Sequence, residues 1–311
     1  MTRVDGLLVL MVLIWGANYS VIKRAFVEIP PQPFNALRLV IASTVFLGAI
    51  WWARRRARLF PHRVSSVFYT VHPLTVRDRW TLTWLGLLGH FVYQYCFVGG
   101  VAATSVSNCA LIISATPVVV AMLSAGLGRE HISRLHWAGA AVSALGIYIV
   151  VGRGASFGGA SVRGDLLILF SVLCWATYTV GASRLIERHS PLYVTGMTMI
   201  IGGLPYDMTM LPQLLKVEWA GVSAWTWAAV VLSSLLALCV GYLIWYTAVQ
   251  QIGPARTAVY SNLIPIVAMT IAAVWLGEPL SAGKVVGACA VLSGVFLTRL
   301  GRRPIAVPVE E

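Results

Sequence analysis

Side chains suited to binding a small molecule lie within strongly apolar stretches of this sequence. Four of them recur at the spacing i, i+3, i+4 and i+7, which places them on one face of a helix: His90, Tyr93, Gln94 and Phe97. A second set lies on one helix face at i, i+4, i+7 and i+8: Leu238, Tyr242, Trp245 and Tyr246. Rings and amides of this kind stack on a solute and hydrogen-bond to it. His90 has no acidic partner in any deep apolar segment, so the pattern favours binding over acid–base catalysis.

The composition indicates where these side chains must lie. Of 311 residues, 58% are hydrophobic and only 11% are charged, whereas about 25% are charged in soluble domains. A soluble enzyme, a secreted domain and a disordered chain are therefore excluded. The length fits about ten apolar segments of about 20 residues each, which is the length that crosses a bilayer as a helix. The fold class predicted is an all-α integral membrane protein with ten transmembrane helices.

The apolar runs give the predicted helices. They are 6–22, 33–52, 80–101, 107–126 and 135–151, followed by 165–183, 191–211, 225–249, 257–276 and 281–298. The first run shows no Ala-x-Ala cleavage site, so it is predicted to be a helix of the mature protein. The segment 53–79, which is rich in arginine, is predicted to be the only long loop. It would set the topology and contact anionic lipid heads, with a regulatory role as the alternative.

The charge distribution predicts the orientation. With the N-terminus inside, 16 Lys and Arg residues lie on the cytoplasmic side and 6 on the other. This bias predicts a multi-pass plasma-membrane protein with both termini cytoplasmic and 153–163 outside. The basic residues form no surface stripe, so the net charge of +12 does not indicate a nucleic-acid partner. Five cysteines without a CxxC pair indicate neither a disulfide framework nor a metal site, and no cofactor is expected.

Further candidates for the binding site lie in other apolar runs: Trp15, Asn18, Tyr19, Trp175, Tyr178 and Asn262. Helix packing and an interfacial aromatic belt are alternative interpretations of such rings, and for Trp245 the two interpretations are even. Arg38 lies about five residues into its helix, where it either extends to the interface or contacts a substrate carboxylate. The strongest hypothesis places the substrate between the first, third, sixth and eighth helices, against Trp15, His90, Gln94, Trp175 and Tyr178.

The two halves of the sequence repeat each other. Ala110 to Glu130 aligns with Ala258 to Glu278 at a constant offset of 148 residues, which pairs Pro117 with Pro265. The starts of the halves align at an offset of 160: Asp5, Trp15 and Arg24 with Asp165, Trp175 and Arg184. Each repeat holds five helices, an odd number, so the second must be inverted in the membrane. Inverted repeats are typical of secondary transporters. The paired prolines, which each remove a helical hydrogen bond, are predicted to be hinges.

Several short motifs carry a resemblance to a known family. They are Trp15-Gly16-Ala17-Asn18, Ala36-Leu37-Arg38, and Gly277-Glu278-Pro279-Leu280 followed by Gly287 and Gly294. With the two prolines, they resemble the drug/metabolite transporter superfamily in its EamA-type branch, over nearly the whole chain. The first repeat departs from the last motif, with Arg129-Glu130-His131-Ile132. The resemblance implies ten helices around a central cavity and export of amino acids or other small metabolites from bacteria.

These observations combine into one prediction. The first EamA-type repeat is 1–152, the inverted second repeat is 164–300, and 301–311 is a cytoplasmic tail. The protein is predicted to export amino acids with apolar or aromatic side chains by alternating access, with the lipid bilayer and a small-molecule substrate as its partners. The alternative is efflux of drugs or other amphipathic cations, and a polytopic membrane enzyme is a remote one. No GxSxG, HExxH or P-loop motif is present, so no enzyme is predicted. The oligomeric state stays open, and a monomer is compatible with the sequence.

Overall fold

The computed structural model describes residues 3–60, 65–127, 134–152 and 160–300. Within these ranges the chain forms helices joined by turns and loops, and it forms no strands. Consecutive helical stretches that together form one membrane-spanning candidate carry one label here. In chain order they are α1 Arg3–Ala25, α2 Pro31–Leu59, α3 Val76–Ala103, α4 Val106–Gly126, α5 Arg134–Gly152, α6 Ala160–Ile186, α7 Pro191–Leu214, α8 Ala224–Ile252, α9 Pro254–Trp275 and α10 Ala282–Leu300. Each apolar run predicted from the sequence overlaps one of them. The predicted tail 301–311 and the motif residues Arg129 to Ile132 lie outside the described residues, as does most of the predicted outer segment 153–163.

Seven helices in the described ranges are long and apolar enough to cross a membrane: α1, α2, α3, α4, α6, α8 and α9. The shortest of them has 21 residues, which at 1.5 Å per residue spans about 32 Å, against a hydrocarbon core of about 30 Å. Many large apolar side chains on these helices face outward, among them Leu47, Trp84 and Val274. The prediction of an all-α membrane protein is therefore confirmed.

The end of α2 differs from its prediction. The helix continues to Leu59, so Arg54, Arg55, Arg56 and Arg58 lie on a helix and not in a loop over 53–79. Arginine is a good helix former, and basic side chains near a helix C-terminus are stabilised by the helix dipole. These two effects extend α2 beyond the apolar run from which its end was predicted.

The chain of α4 and of α9 is interrupted next to the paired prolines. α4 consists of Val106–Ile113 and Thr116–Gly126, and Pro117 lies in the first turn of the second piece. In α9, a 3-10 stretch at Val259–Leu263 precedes the piece that begins at Ile264, with Pro265 in its first turn. A proline in a first turn removes no helical hydrogen bond. Pro117 and Pro265 therefore begin new helical pieces and do not kink continuous ones.

Two wide helical turns occupy equivalent places in the two halves. α3 contains a π-helical segment at Leu87–Val92, and α8 contains one at Ser233–Val240. Close contacts accompany both. A Cβ on Gly89 would lie 2.6 Å from the Tyr178 ring, and a Cβ on Gly241, just after the second segment, would clash with Trp15 Nε1. These glycines let α6 approach α3 and α1 approach α8 around the centre of the molecule.

Candidate functional site

A cavity of about 60 Å³ lies where α1, α2, α3, α4, α6, α8 and α9 meet. Eight of the residues predicted to bind substrate line it: Trp15, Asn18, Tyr19, Arg38, Tyr93, Gln94, Trp175 and Tyr242. They come from both halves of the chain. Its volume leaves room for only a few water molecules, because the side chains around it pack closely against one another.

Aromatic rings form one wall of this cavity. Trp175 lies at the centre of this wall. The centroid of its ring is 5.7 Å from that of Trp15, 5.1 Å from that of Tyr242 and 5.2 Å from that of Tyr93. Trp15 and Trp175 are the residues that align between the two halves at an offset of 160. Edge-to-face pairs at such distances contribute about 0.5–1.5 kcal/mol each beyond burial. The wall therefore offers an apolar surface whose rings pack against one another.

Trp245 lies behind this wall. Its side chain is fully buried, and its ring packs 5.5 Å from Trp15 and 5.7 Å from Trp175. A residue of an interfacial belt would be exposed at the helix end, so the belt interpretation of Trp245 is wrong. It does not line the cavity either. Its role in this structure is to support the two tryptophans that do.

Arg38 is the charged residue of the cavity. Its side chain is 1% exposed and lines the cavity. Nη1 donates to Asn35 Oδ1 at 3.1 Å, and the guanidinium lies 5.9 Å from the Phe34 ring centroid. Within the described residues no carboxylate pairs with it, and its Nε has no hydrogen-bond partner. Burying a cation without a counter-ion costs several kcal/mol, so this guanidinium is suited to an anionic group supplied by a ligand.

Two hydrogen-bond acceptors face the same cavity. Gln94 Nε2 donates to the Tyr242 hydroxyl at 3.2 Å, while its Oε1 has no partner among the described residues. Asn18 Oδ1 is likewise buried and unpartnered there. Most buried polar atoms in folded proteins are hydrogen-bonded. The cavity thus combines an unpaired cation with two free acceptors, which is a suitable arrangement for a zwitterion.

His90 and Tyr178 lie beside the cavity but do not line it. His90 Nε2 is 3.0 Å from the Tyr178 hydroxyl, which is 2.6 Å from Thr198 Oγ1 on α7. All three residues are buried. The ring of His90 also packs 5.5 Å from that of Tyr242. In this structure His90 and Tyr178 therefore join α3, α6 and α7 and support a lining residue.

The interruption of α9 places Asn262 near the cavity. Both amide atoms of its side chain are buried without a hydrogen-bond partner in the described structure, and its neighbour Ser261 lines the cavity. At the matching interruption of α4, Thr116 Oγ1 donates to the Ile113 carbonyl at 2.6 Å. The Ile113 carbonyl ends the first piece of α4, where helical carbonyls lack a partner, and the Thr116 hydroxyl supplies its hydrogen bond.

Sequence reasoning missed several lining residues. They are Ile113, Thr116, Ser171, Val172, Ala237, Ser261 and Ile264, whereas Phe97 and Leu238 belong to the two stripes named from the sequence. Ser171 and Val172 lie four and three residues before Trp175. Residues at this spacing share one face of a helix, so the sequence could have placed them beside Trp175. Ile113, Thr116 and Ser261 flank the two prolines. Ala237 carries no side-chain signal, because it contributes a carbonyl that accepts from Trp15 Nε1 at 3.0 Å.

Comparison with known proteins identifies the family. The model of the EamA-like transporter family matches residues 2–152 and 162–300. The chain is 27% identical to the uncharacterized transporter YyaM of Bacillus subtilis, over 90% of this chain and 88% of that protein. It is 25% identical to a probable amino-acid metabolite efflux pump of Salmonella typhimurium, over 97% of both chains. One crystal structure matches with a TM-score of 0.67 and 18% identity, covering 96% of this chain and 98% of that one, which supports the fold alone. The chain is a multi-pass membrane protein that belongs to the EamA-like transporter family.

Proposed function

We propose that this protein exports amino acids with apolar or aromatic side chains across the bacterial inner membrane by alternating access. In this proposal ten helices cross the membrane as two inverted five-helix repeats, both termini lie in the cytoplasm, and the substrate binds in the cavity between the repeats. The observation that carries the proposal is the buried Arg38, which has no carboxylate partner within the described residues and lies in a cavity lined by aromatic rings.

The chemistry of the cavity matches each part of such a substrate. The α-carboxylate accepts hydrogen bonds from the Arg38 guanidinium. The ammonium group donates to Gln94 Oε1 and Asn18 Oδ1, which have no other partner in the described structure. The apolar side chain packs on the rings of the aromatic wall. Two relatives named as probable amino-acid metabolite efflux pumps, from Salmonella typhimurium and Escherichia coli, support this substrate class at 25% and 23% identity.

Two aspartates support alternating access. Asp165, in the second half, accepts a hydrogen bond from Thr104 Oγ1 of the first half at 2.7 Å. Asp5, its counterpart in the first half, accepts one from the Tyr260 hydroxyl of the second half at 2.6 Å. By the predicted topology these two contacts lie at opposite membrane faces. Each joins the halves at one face, so releasing one while keeping the other would open the cavity to one side.

The small cavity indicates that the helices must move for an amino acid to enter. Its volume in this structure is about 60 Å³. The interruptions of α4 and α9 at Pro117 and Pro265 are suited to that movement, because the regular α-helical geometry breaks there. We therefore keep both prolines as hinges in the proposal.

The main alternative is transport of amphipathic cations. Aromatic rings attract cations when water is excluded, and the wall around Trp175 supplies several. Phenylalanine and 2-phenylethylamine separate the two functions, because they share the ring and the ammonium group and differ in the carboxylate. Purified protein in liposomes should exchange labelled phenylalanine and leave the amine behind.

The test uses Arg38→Gln with Arg163→Gln as its control, because Arg163 is an exposed arginine remote from the cavity lining. The first variant should lose phenylalanine transport and the second should keep it. Equal transport of the amine and the amino acid by the parent, together with an active Arg38→Gln variant, would favour cation efflux. Transport of neither solute by well-folded parent protein would contradict both substrate classes.

A further inference from the structure

We infer a second binding site, which takes the phosphate group of an anionic phospholipid. It is a pocket of about 380 Å³ between the end of α2, the segment 68–74, the start of α3 and the turn between α6 and α7. We call it the arginine pocket, and its defining side chains are Arg54, Arg58, His72, Arg79, His189 and Tyr193. It is separate from the cavity around Arg38, with which it shares no lining residue.

The pocket is held in shape by contacts between the two halves. Ser190 N donates to Thr70 Oγ1 at 3.0 Å, and Ser190 Oγ donates to the Phe68 carbonyl at 3.3 Å. The Leu192 N–H donates to the Val67 carbonyl at 3.1 Å. These bonds attach the connection between α2 and α3 to the turn before α7. The guanidinium of Arg54 in turn lies 5.3 Å from the Tyr193 ring centroid, which restricts its orientation.

The charge of the pocket is not neutralised by the described residues. Three arginines line it, and none of the described lining residues is acidic. The neighbouring Asp78 is already engaged, because it lies 3.7 Å from Arg188 Nη1 and 3.3 Å from His189 Nε2 and accepts from Thr75 N at 3.0 Å. No ion pair within the described structure involves Arg54, Arg58 or Arg79. Arginine binds phosphate oxygens in bidentate fashion, so phosphate fits this cluster.

The depth of the pocket favours a lipid over a free solute. Trp51, near the end of α2, is 62% exposed, and exposed tryptophans mark the membrane interface. Arg54 lies three residues beyond it and Arg58 seven, which is about 4.5 and 10.5 Å along the axis. The headgroup layer on each side of a bilayer is about 5–8 Å thick. Arg54 therefore lies within this layer and Arg58 just beyond it, where the long arginine side chain can extend back to the lipid phosphates. Both lie on the face that the charge count predicts to be cytoplasmic.

A phosphate in this pocket would join α2 and α3 of the first half to the turn before α7 of the second. Ligands that bind only the folded state raise its stability. Anionic phospholipid should therefore raise the unfolding temperature, and the rise should depend on the arginines of the pocket and not on the general basic charge of this face.

The test compares two double variants of equal charge on the same two helices. Arg58→Gln with Arg79→Gln removes two pocket arginines. Arg56→Gln with Arg77→Gln removes two exposed arginines that do not line the pocket. Each protein in neutral detergent is titrated with short-chain phosphatidylglycerol, short-chain phosphatidylcholine or inorganic phosphate, and its unfolding temperature is recorded. Native mass spectrometry counts the retained lipids.

Phosphatidylglycerol should stabilise the parent and the control variant, and the pocket variant should bind it about tenfold more weakly than the control, as expected for losing charge-assisted contacts. Equal weakening of both variants would overturn the site, since diffuse surface charge would then explain the binding. If inorganic phosphate raised the unfolding temperature as much as phosphatidylglycerol does, the pocket would bind free phosphate and the proposal of a lipid ligand would be wrong. If the pocket variant does not fold, native mass spectrometry of the parent protein provides the test. Equal retention of phosphatidylglycerol and phosphatidylcholine by the parent would refute the proposal.

Discussion

Replacing Gln94 by methionine separates binding from folding. The side chain keeps its length and unbranched shape, but it loses the donor that reaches the Tyr242 hydroxyl at 3.2 Å and the unpartnered Oε1. A neutral hydrogen bond contributes about 0.5–1.5 kcal/mol to stability, whereas burying an unsatisfied polar atom costs about 1–3 kcal/mol. These two changes have opposite signs, and the buried Tyr242 hydroxyl also loses its donor, so the unfolding temperature should stay within a few degrees of that of the parent.

Transport should respond much more strongly. In the proposed binding mode Oε1 accepts from the substrate ammonium, and a hydrogen bond to a charged group contributes about 1.5–3 kcal/mol. At about 1.4 kcal/mol for each factor of ten, kcat/KM should fall by about 10- to 150-fold. The assay is the initial rate of phenylalanine exchange in liposomes over a range of substrate concentrations, with unfolding temperature measured on the same preparation.

Gln250→Met is the matched control. Gln250 also donates a hydrogen bond from its amide, to the Ile186 carbonyl at 2.9 Å, but it lies near the end of α8 and does not line the cavity. This variant should lose some stability and keep kcat/KM. Parent-like kcat/KM in a folded Gln94→Met protein would refute the role of Gln94, and attention would turn to the region around Ser114 and Asn262.

Three further outcomes are expected. Pro117→Ala with Pro265→Ala should leave the protein folded and slow exchange, because both prolines sit in first turns; parent-like exchange rates would remove the hinge hypothesis. In a Cys289→Ser background, cysteines at the exposed positions Val27 and Val71 should be labelled from opposite sides, the second from the cytoplasm; labelling of both from one side would contradict the topology. Gly241→Ala should lower the stability of the protein by about 1–3 kcal/mol, because the new Cβ would meet Trp15. Gly48→Ala should not, because there is open space around Gly48. Equal unfolding temperatures for the two variants would show that the Trp15 ring can shift.

The positions of the helices were predictable because composition and length determine them in a membrane. Apolar runs of about 20 residues can satisfy their backbone groups in lipid only as helices. The ends were less predictable, as α2 illustrates: hydropathy ends near Trp52, but the helix propensity of the arginines continues it to Leu59. Pro117 and Pro265 signalled that something changes in α4 and α9. They did not signal whether each helix bends or starts again.

The candidate site was predictable in part, for a reason that α3 makes clear. The spacing of His90, Tyr93, Gln94 and Phe97 assumes 3.6 residues per turn. Leu87–Val92 is a π-helix, whose wider turn shifts the phase of the residues within it. Tyr93, Gln94 and Phe97 follow this segment and face the cavity, while His90 lies inside it and contacts Tyr178. No residue type signals such a turn, so the position of His90 depended on tertiary packing.

The polar groups of the cavity weaken the fold that holds them. Arg38 Nε, Gln94 Oε1 and Asn18 Oδ1 are buried without partners in the described structure, and each such atom costs about 1–3 kcal/mol or more. The ring contacts of Trp175 with Trp15, Tyr93 and Tyr242 stabilise the same region by a comparable amount. Since Trp175 packs against so many rings, Trp175→Ala should unfold the region as well as remove a binding surface, so loss of transport in that variant would not identify a substrate contact. Substitutions that remove only a polar group are more informative, because a packing role predicts lower stability and a binding role predicts unchanged or higher stability with lower transport.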